Sequence, residues 1–321
     1  MMATMCSQGK LLASLLAILV LGMSACSRRE APPDFSVRLL TSLAVSGRWE
    51  RAAERGLGRI AAELDADVAR IRVGDAADRR NRINDQGRAG VSLVFCVGNG
   101  FEKMLYSEVG AFPSTAFVLL QGRANAQNLG GIVFLPEEAG YLAGVVAGTG
   151  VPGEKVGILR GGGRRWLNQL ENGFKAGFVS LRPGDEVVTA EGPEGVWQLA
   201  RSGVGVALYS SDRADPAVLA AVHDAGLKLI VTGPELMESE PDLVVAAVEV
   251  DVAEAMLRVA REVKDGTFEG RIFAFDLGSG VLDLTLNETM EAENLRAVRE
   301  AVEKARSEIT AGFVEIAELG L

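Results

Sequence analysis

Residues able to do acid, base or nucleophilic chemistry are scarce in this chain. Of 321 residues a single one is His, His223, and it lies in an alanine-rich helical run. No Ser/His/Asp set, Cys/His pair or zinc-ligand spacing can be built on it. The many carboxylates fall mostly on helix faces, where they are usually solvated, and no pair is singled out for glycosidase chemistry. The triplet Gly161-Gly162-Gly163 sits between a strand-like and a helix-like run but has neither GxGxxG nor GxxxxGK[ST] spacing. Beside it, Arg160, Arg164 and Arg165 either neutralise an anion at a helix start or form a solvated basic turn. No catalytic residue, metal or cofactor is therefore expected.

What remains is binding chemistry, carried by aromatic and small residues at the ends of apolar runs. Trp49 stands at the first loop–helix junction, where it either contacts a ligand or packs against the sheet. In Gly98-Asn99-Gly100-Phe101 the glycines allow close backbone approach, while Phe101 is a ligand contact or a core plug. Trp166 and Tyr209 hold corresponding positions further on, with packing as the alternative for each.

The elements that must position these residues alternate. Strands are expected at 37–40, 68–73, 91–97, 116–120 and 132–135, with helices from about 48 (Ala53, Leu57, Ile60 and Leu64 on one side), at 75–89 and at 102–110. Pro136 closes the fifth strand, and Glu137 and Glu138 suit a helix start. After a break at 151–153 the pattern restarts. Strands are expected at 155–160, 186–189, 204–209 and 228–232, with helices at 167–181 and 216–225. Residues 243–250 are extended and cross between the halves into a helix at 252–265. Strands 272–275 and 281–286 flank Gly278-Ser279-Gly280 as a hairpin signal, and a last helix near 290–310 buries Leu295, Val298, Val302 and Ile309. Such alternation implies parallel α/β sheets with right-handed crossovers. Ligands in such sheets bind beyond the carboxyl ends of the strands. Here those ends are 42–48, 98–101, 120–123, 160–166, 209–213 and 232–235. Loops from two halves would face each other across a cleft.

The formal net charge of −10 argues against nucleic acid, whose phosphates demand a basic surface. The N-terminus reads as a secretory signal: Lys10, the apolar run 11–21, then Met23-Ser24-Ala25-Cys26 as the cleavage site. Cys26 is the expected lipidation site, with a plain anchor or ordinary cleavage as the alternatives. That leaves Cys96 as the one cysteine of the mature fold. It cannot form an intramolecular disulfide, and it lies in an apolar strand as a small buried hydrophobe.

The stretch 130–148, GGIVFLPEEAGYLAGVVAG, places Gly140, Gly144 and Gly148 on one helix face. Each costs a helix interior roughly 1 kcal/mol relative to Ala, so three together imply a backbone lying close to another element. Its EEAGYLAG segment resembles the basic membrane protein family, substrate-binding lipoproteins of ABC transporters that include purine nucleoside receptors. The likeness runs from about residue 37 to 286. It implies an α/β fold of two Rossmann-like lobes, the type I periplasmic binding protein fold, with a hinge and a central cleft. It divides the chain into a signal (1–25), a tether (26–36), lobe 1 (37–150 plus 251–270) and lobe 2 (151–250 plus 271–321). It further implies a small-molecule ligand, an ABC permease as partner, a monomer, and a lipid anchor on the outer face of a cell membrane. Ligand-site positions under this resemblance are Trp49, Glu50, Gly98, Asn99, Gly100, Phe101, Gln121, Trp166, Tyr209 and Glu249.

Departures from the family pattern concentrate at that site. Gly47-Arg48-Trp49-Glu50 stands where Asp and Asn usually flank the aromatic, and Gln121 where an Asp would hold ribose hydroxyls. Thr232-Gly233-Pro234 lacks the Asp expected after Ile230. Ala247 and Glu249 replace Ser and Lys, although Asp251 fits. Ser210-Ser211-Asp212-Arg213 replaces a glycine-rich turn. Three functions compete: a solute receptor for an importer, a sensory or regulatory module of the same fold, and an envelope protein whose cleft no longer binds nucleosides.

Overall fold

The computed structural model describes residues 35–43, 47–98, 100–150, 155–162, 165–314 and 316. The expected signal, Cys26, Asn99 and Arg164 lie outside the described residues, as does the side chain of Arg165. The tether reading stops short of Ser36, because Phe35 is already buried and β1 begins there (Ser36–Ser42).

The first lobe is built from β1, α1 (Arg48–Leu64), β2 (Asp67–Val73), α2 (Ala76–Arg88), β3 (Leu93–Val97), α3 (Glu102–Glu108), β4 (Ala116–Leu120) and β5 (Leu129–Phe134). Next come α4 (Pro136–Gly150), β6 (Lys155–Arg160), α5 (Arg165–Leu181), β7 (Val187–Glu191), α6 (Gly192–Arg201), β8 (Val204–Ser210), α7 (Pro216–Ala225), β9 (Lys228–Thr232), α8 (Pro234–Ser239) and β10 (Val244–Val250). The chain ends with α9 (Val252–Lys264), β11 (Ile272–Phe275), β12 (Leu282–Leu286) and α10 (Ala292–Thr310). One sheet has the order β11-β5-β4-β3-β1-β2 and the other β12-β10-β9-β8-β6-β7. All pairings are parallel except β12 against β10. β3 and β4 are buried along their whole length, which their unbroken apolar sequences require. Cys96 lies in β3, fully buried, and burial pushes its thiol pKa well up.

The two lobes are not split where the sequence placed the boundaries. Ile272 and Phe275 pair with Gly131 and Phe134 in the first sheet, whereas β12 pairs with β10 in the second. No hairpin forms at 278–280. Asp276 caps a 3₁₀ turn through a 2.7 Å bond from the Ser279 N–H, and Gly280 continues at φ 69°. The capped turn carries the chain across to the other sheet. Helix α4, assigned by sequence to lobe 1, packs on α5 and the second sheet. Together with β5–α4 and β10–α9, this gives three crossings between the lobes. Two helices were not anticipated. In α6, Gly192 and Pro193 open a single apolar face of Val196 and Leu199, and α8 is six residues long.

The α4–α5 contact explains the glycines. A Cβ at Gly140 would sit 2.2 Å from the Leu170 carbonyl oxygen, and one at Gly144 2.1 Å from that of Phe174. Gly173 and Gly177 of α5 answer in kind, at 1.9 Å from the Glu137 oxygen and 2.0 Å from the Tyr141 oxygen. Gly148 meets only side chains of Leu181 and Phe178. One apolar cluster runs from this seam through both lobes and includes Leu57, Ile132, Phe174 and Leu208.

Candidate functional site

At the crossings lies a cleft of about 350 Å³. The first turn of α1 supplies Arg48 and Trp49. The β9–α8 turn supplies Pro234 and Glu235, the β10–α9 crossing Glu249 and Asp251, and the β11–β12 crossing Gly280 and Asp283. All are positioned by strand ends or helix starts, as the parallel topology dictates.

Trp49 is 2% exposed. Phe134 stacks on it at 5.6 Å between centroids, Trp166 of the second lobe meets it edge-on at 5.4 Å, and the Arg48 guanidinium lies 5.7 Å from its centroid. The same guanidinium lies 5.5 Å from the Trp166 ring, so Arg48 sits between aromatic rings of the two lobes. Trp166 donates its indole N–H to Asp212 Oδ1 at 3.1 Å. In this closed arrangement no face of Trp49 is open to a stacked base.

Two enclosed donors in this cluster lack a hydrogen-bond partner among the described residues: Arg48 Nη1 and Trp49 Nε1. Arg48 as a whole is half-buried, yet that nitrogen is fully enclosed. Burial lowers the Arg48 pKa from its ordinary value, while Glu235, Asp212 and Glu249 pull the other way. The side chain remains a cation, since guanidinium is not deprotonated in proteins. A Cβ on Gly233 would lie 2.6 Å from Glu235 Oε2 and 3.7 Å from Arg48 Nη1, so both head groups flank that turn residue, whose φ is 98°. Glu249 faces Asp283 across the β10–β12 register, and Arg306 Nη1 holds Asp283 at 2.6 Å. Asp251 caps α9 by accepting from the Glu254 N–H at 2.9 Å. Among the described residues neither Glu235 nor Glu249 forms an ion pair.

The other expected site residues are placed elsewhere. Glu50 is buried at the third position of α1, its Oε2 folded back over Gly47, as helix-start carboxylates do. Gly98 and Gly100 have φ of 111° and 91°, and a Cβ on Gly100 would strike Arg79 Nη1 at 2.6 Å. Phe101 is fully buried in the cluster on the outer face of the first sheet, under Arg79; it is a core plug. Tyr209 belongs to the corresponding cluster of the second sheet. Its hydroxyl donates to the Arg213 carbonyl at 3.2 Å and accepts from the Asp215 N–H at 3.1 Å, fixing its own loop. Gln121 is exposed at the end of β4 with φ 58°. Arg160 does not serve as a free anion site, because Glu171 takes it in a fork with Nη2–Oε2 at 2.6 Å, and Ser210 Oγ donates to Glu171 Oε1 at 2.7 Å. Of the anticipated residues, Trp49 and Glu249 line the cleft, and Trp166 adjoins it through its edge contact with Trp49. Arg48, Arg55, Glu235 and Asp283 line it and were not anticipated; the one available signal was a cation beside Trp49 at a helix start.

Two α/β lobes joined by three crossings around a cleft define the type I binding-protein fold. The chain belongs to the Bmp family, ABC transporter substrate-binding protein PnrA-like, which matches residues 47–318. A relative, the ABC transporter nucleoside-binding protein BmpA of Lactococcus lactis subsp. cremoris (strain MG1363), is 24% identical over 275 residues, 75% of each chain. A crystal structure of a transcriptional activator of the comK gene from Bacillus halodurans superposes with TM-score 0.74 at 24% identity, covering 85% of this chain and 96% of that one. An ABC transporter solute-binding protein from Aeropyrum pernix K1 gives TM-score 0.66 at 18% identity, covering 88% and 92%. The family is one of substrate-binding proteins, not enzymes. No helix among the described residues is long and apolar enough to cross a membrane.

Proposed function

We propose that this chain captures a small solute between its lobes outside the cytoplasm and delivers it to an ABC permease. The observation that carries this is the cleft at the three crossings, lined by Trp49 of the first lobe, against which Trp166 of the second lobe packs edge-on. Opening the lobes about the crossings would part these rings and admit a ligand; closure would reassemble them around it. Lipidation at Cys26 would keep the receptor, as a monomer, near its permease. Intrinsic tryptophan fluorescence tests the capture step: a ligand that shifts the open–closed balance changes the signal saturably, and Trp166→Phe reduces that change. No response to any solute pool, with no rise in thermal midpoint, would defeat the reading. Cys26→Ala should release the protein from the membrane fraction; unmodified wild-type protein beginning elsewhere would end the lipoprotein reading.

A second reading, a regulatory module of the same fold, is favoured by one observation: Phe134, Trp166 and Arg48 already occupy the surroundings of Trp49. The Bacillus halodurans protein of the same fold is described as a transcriptional activator. A folded protein that binds no solute but copurifies with a membrane-bound or cytoplasmic signalling partner would favour it.

A further inference from the structure

The cleft is lined by groups of both signs. Arg48 Nη1 and Trp49 Nε1 are enclosed donors without acceptors among the described residues, in the first turn of a helix of 17 residues. Its cap residue, Gly47, offers no side chain to the first N–H groups. Leaving such donors unsatisfied carries a desolvation cost, larger for a charged group, so native structures rarely retain them without an occupant. Helix N-termini favour anions, and the guanidinium fork fits a carboxylate. Glu235 and Glu249, acceptor-only groups with no ion pair among the described residues, line the same cleft, Glu235 close to Arg48 across Gly233, and the exposed Arg55 lines it as a second cation. Asp251 and Asp283 line the same cleft but are engaged as a helix cap and by Arg306.

We infer that the cleft takes a small zwitterion, an amino-acid-like solute whose carboxylate is held by Arg48 and Trp49 and whose ammonium is held by Glu235 and Glu249. A neutral nucleoside fits these groups poorly. It brings no anion to the Arg48–Trp49 donors and no cation to the two glutamates. The volume of about 350 Å³ suits a ligand of this size. The inference rests on the solute-binding reading and names its ligand class.

Calorimetry on the full folded domain tests it, with each of the standard amino acids, and with adenosine and inosine as neutral probes. For any amino acid that binds, its deaminated acid and its decarboxylated amine are run as halves. The expected result is at least one amino-acid ligand, with both halves at least about tenfold weaker. Trp49→Phe, which keeps a ring but removes the indole N–H, should weaken that ligand about tenfold. Should Trp49→Phe not fold, Glu249→Gln gives the same information: it should weaken the amino acid while leaving the deaminated acid's affinity unchanged. Nucleoside binding without amino-acid binding would overturn the zwitterion and leave solute capture standing. A deaminated acid binding as tightly as its amino acid would overturn it too. Binding of neither class would remove solute capture and the inference together.

Discussion

Between α4 and α5 the close contacts are backbone against backbone. Around Trp49 the contacts are side chain against side chain, and two enclosed donors have no acceptor among the described residues. Both regions bury residues that sequence reading marked as unusual, glycines in one and a tryptophan in the other. The first spends its oddity on packing: Gly140, Gly144, Gly173 and Gly177 each face a carbonyl oxygen, so the helices approach as near as backbones allow. The second keeps a cation among aromatic rings without an ion pair, a state that packing alone does not favour. On the inference drawn above, the first region is finished without a ligand and the second is not.

Adding a side chain at the finished seam should have the largest effect. Gly177→Leu places a branched side chain against the Tyr141 backbone, where even a Cβ would lie 2.0 Å from the oxygen, and should abolish cooperative unfolding in urea. Gly173→Ala should destabilise by about 3 kcal/mol, because helices must separate to admit one methyl. The control is Gly58, a glycine of α1 with nothing within 4 Å of a built Cβ. There the same substitution should stabilise by roughly 0.5–1 kcal/mol, the ordinary helix preference for Ala. If Gly173→Ala behaves like Gly58→Ala, the seam is looser than its geometry.

The aromatic box should respond next. Trp49→Ala removes a core side chain shared by Phe134 and Trp166, and should cost about 3–5 kcal/mol in chemical denaturation. Arg48→Gln should change stability by less than about 1 kcal/mol, since lost cation–π contacts offset relief of a buried charge. A residue that matters little to folding but sits at the centre of the cleft is what a ligand site leaves behind. Loss of several kcal/mol in Arg48→Gln would instead mark it as a structural strap, and would bring the two regions under one description.

The sequence disclosed the finished region far better than the unfinished one. The run of glycines in 130–148 announces a close approach by period alone, and the alternation of apolar runs discloses two parallel sheets. Even there the partner was missed: Gly173 and Gly177 show their purpose only once α5 lies on α4. The β11–β12 link misled because a Gly-Ser-Gly turn signals reversal locally, while strand partners are chosen by the sheets on either side. At the cleft, Trp49 and Trp166 were visible as aromatics at strand-to-helix junctions. Phe101 and Tyr209 were equally visible there, and they face away from the cleft. Which face of a sheet a junction residue takes depends on the crossing geometry, which one-dimensional spacing does not contain. Arg48 was legible only as a departure from the family, since its meaning depends on Glu235 and Trp166, which lie far along the chain.

The smallest expected effect lies where the two regions meet, at the start of α4. Glu138 accepts the Leu277 N–H at 2.9 Å, tying α4 to the β11–β12 crossing. Its pKa is raised, by burial first, partly countered by that hydrogen bond, with Asp276 and Glu137 adding repulsion. A raised carboxyl pKa means the folded state holds the proton more tightly than the unfolded state. The folded state therefore binds more protons in the window between the ordinary glutamate value and the raised one, and stability falls as pH rises through that window. Glu138→Gln keeps an acceptor for Leu277 and carries no charge. It should flatten this segment of the stability–pH curve, measured by urea midpoints from acid to neutral pH, and leave the variant slightly more stable than wild type near neutrality. If instead the variant is destabilised at neutral pH and matches wild type in acid, the charged carboxylate is what holds the crossing, and the hinge end of α4 belongs with the polar cleft rather than with the glycine seam.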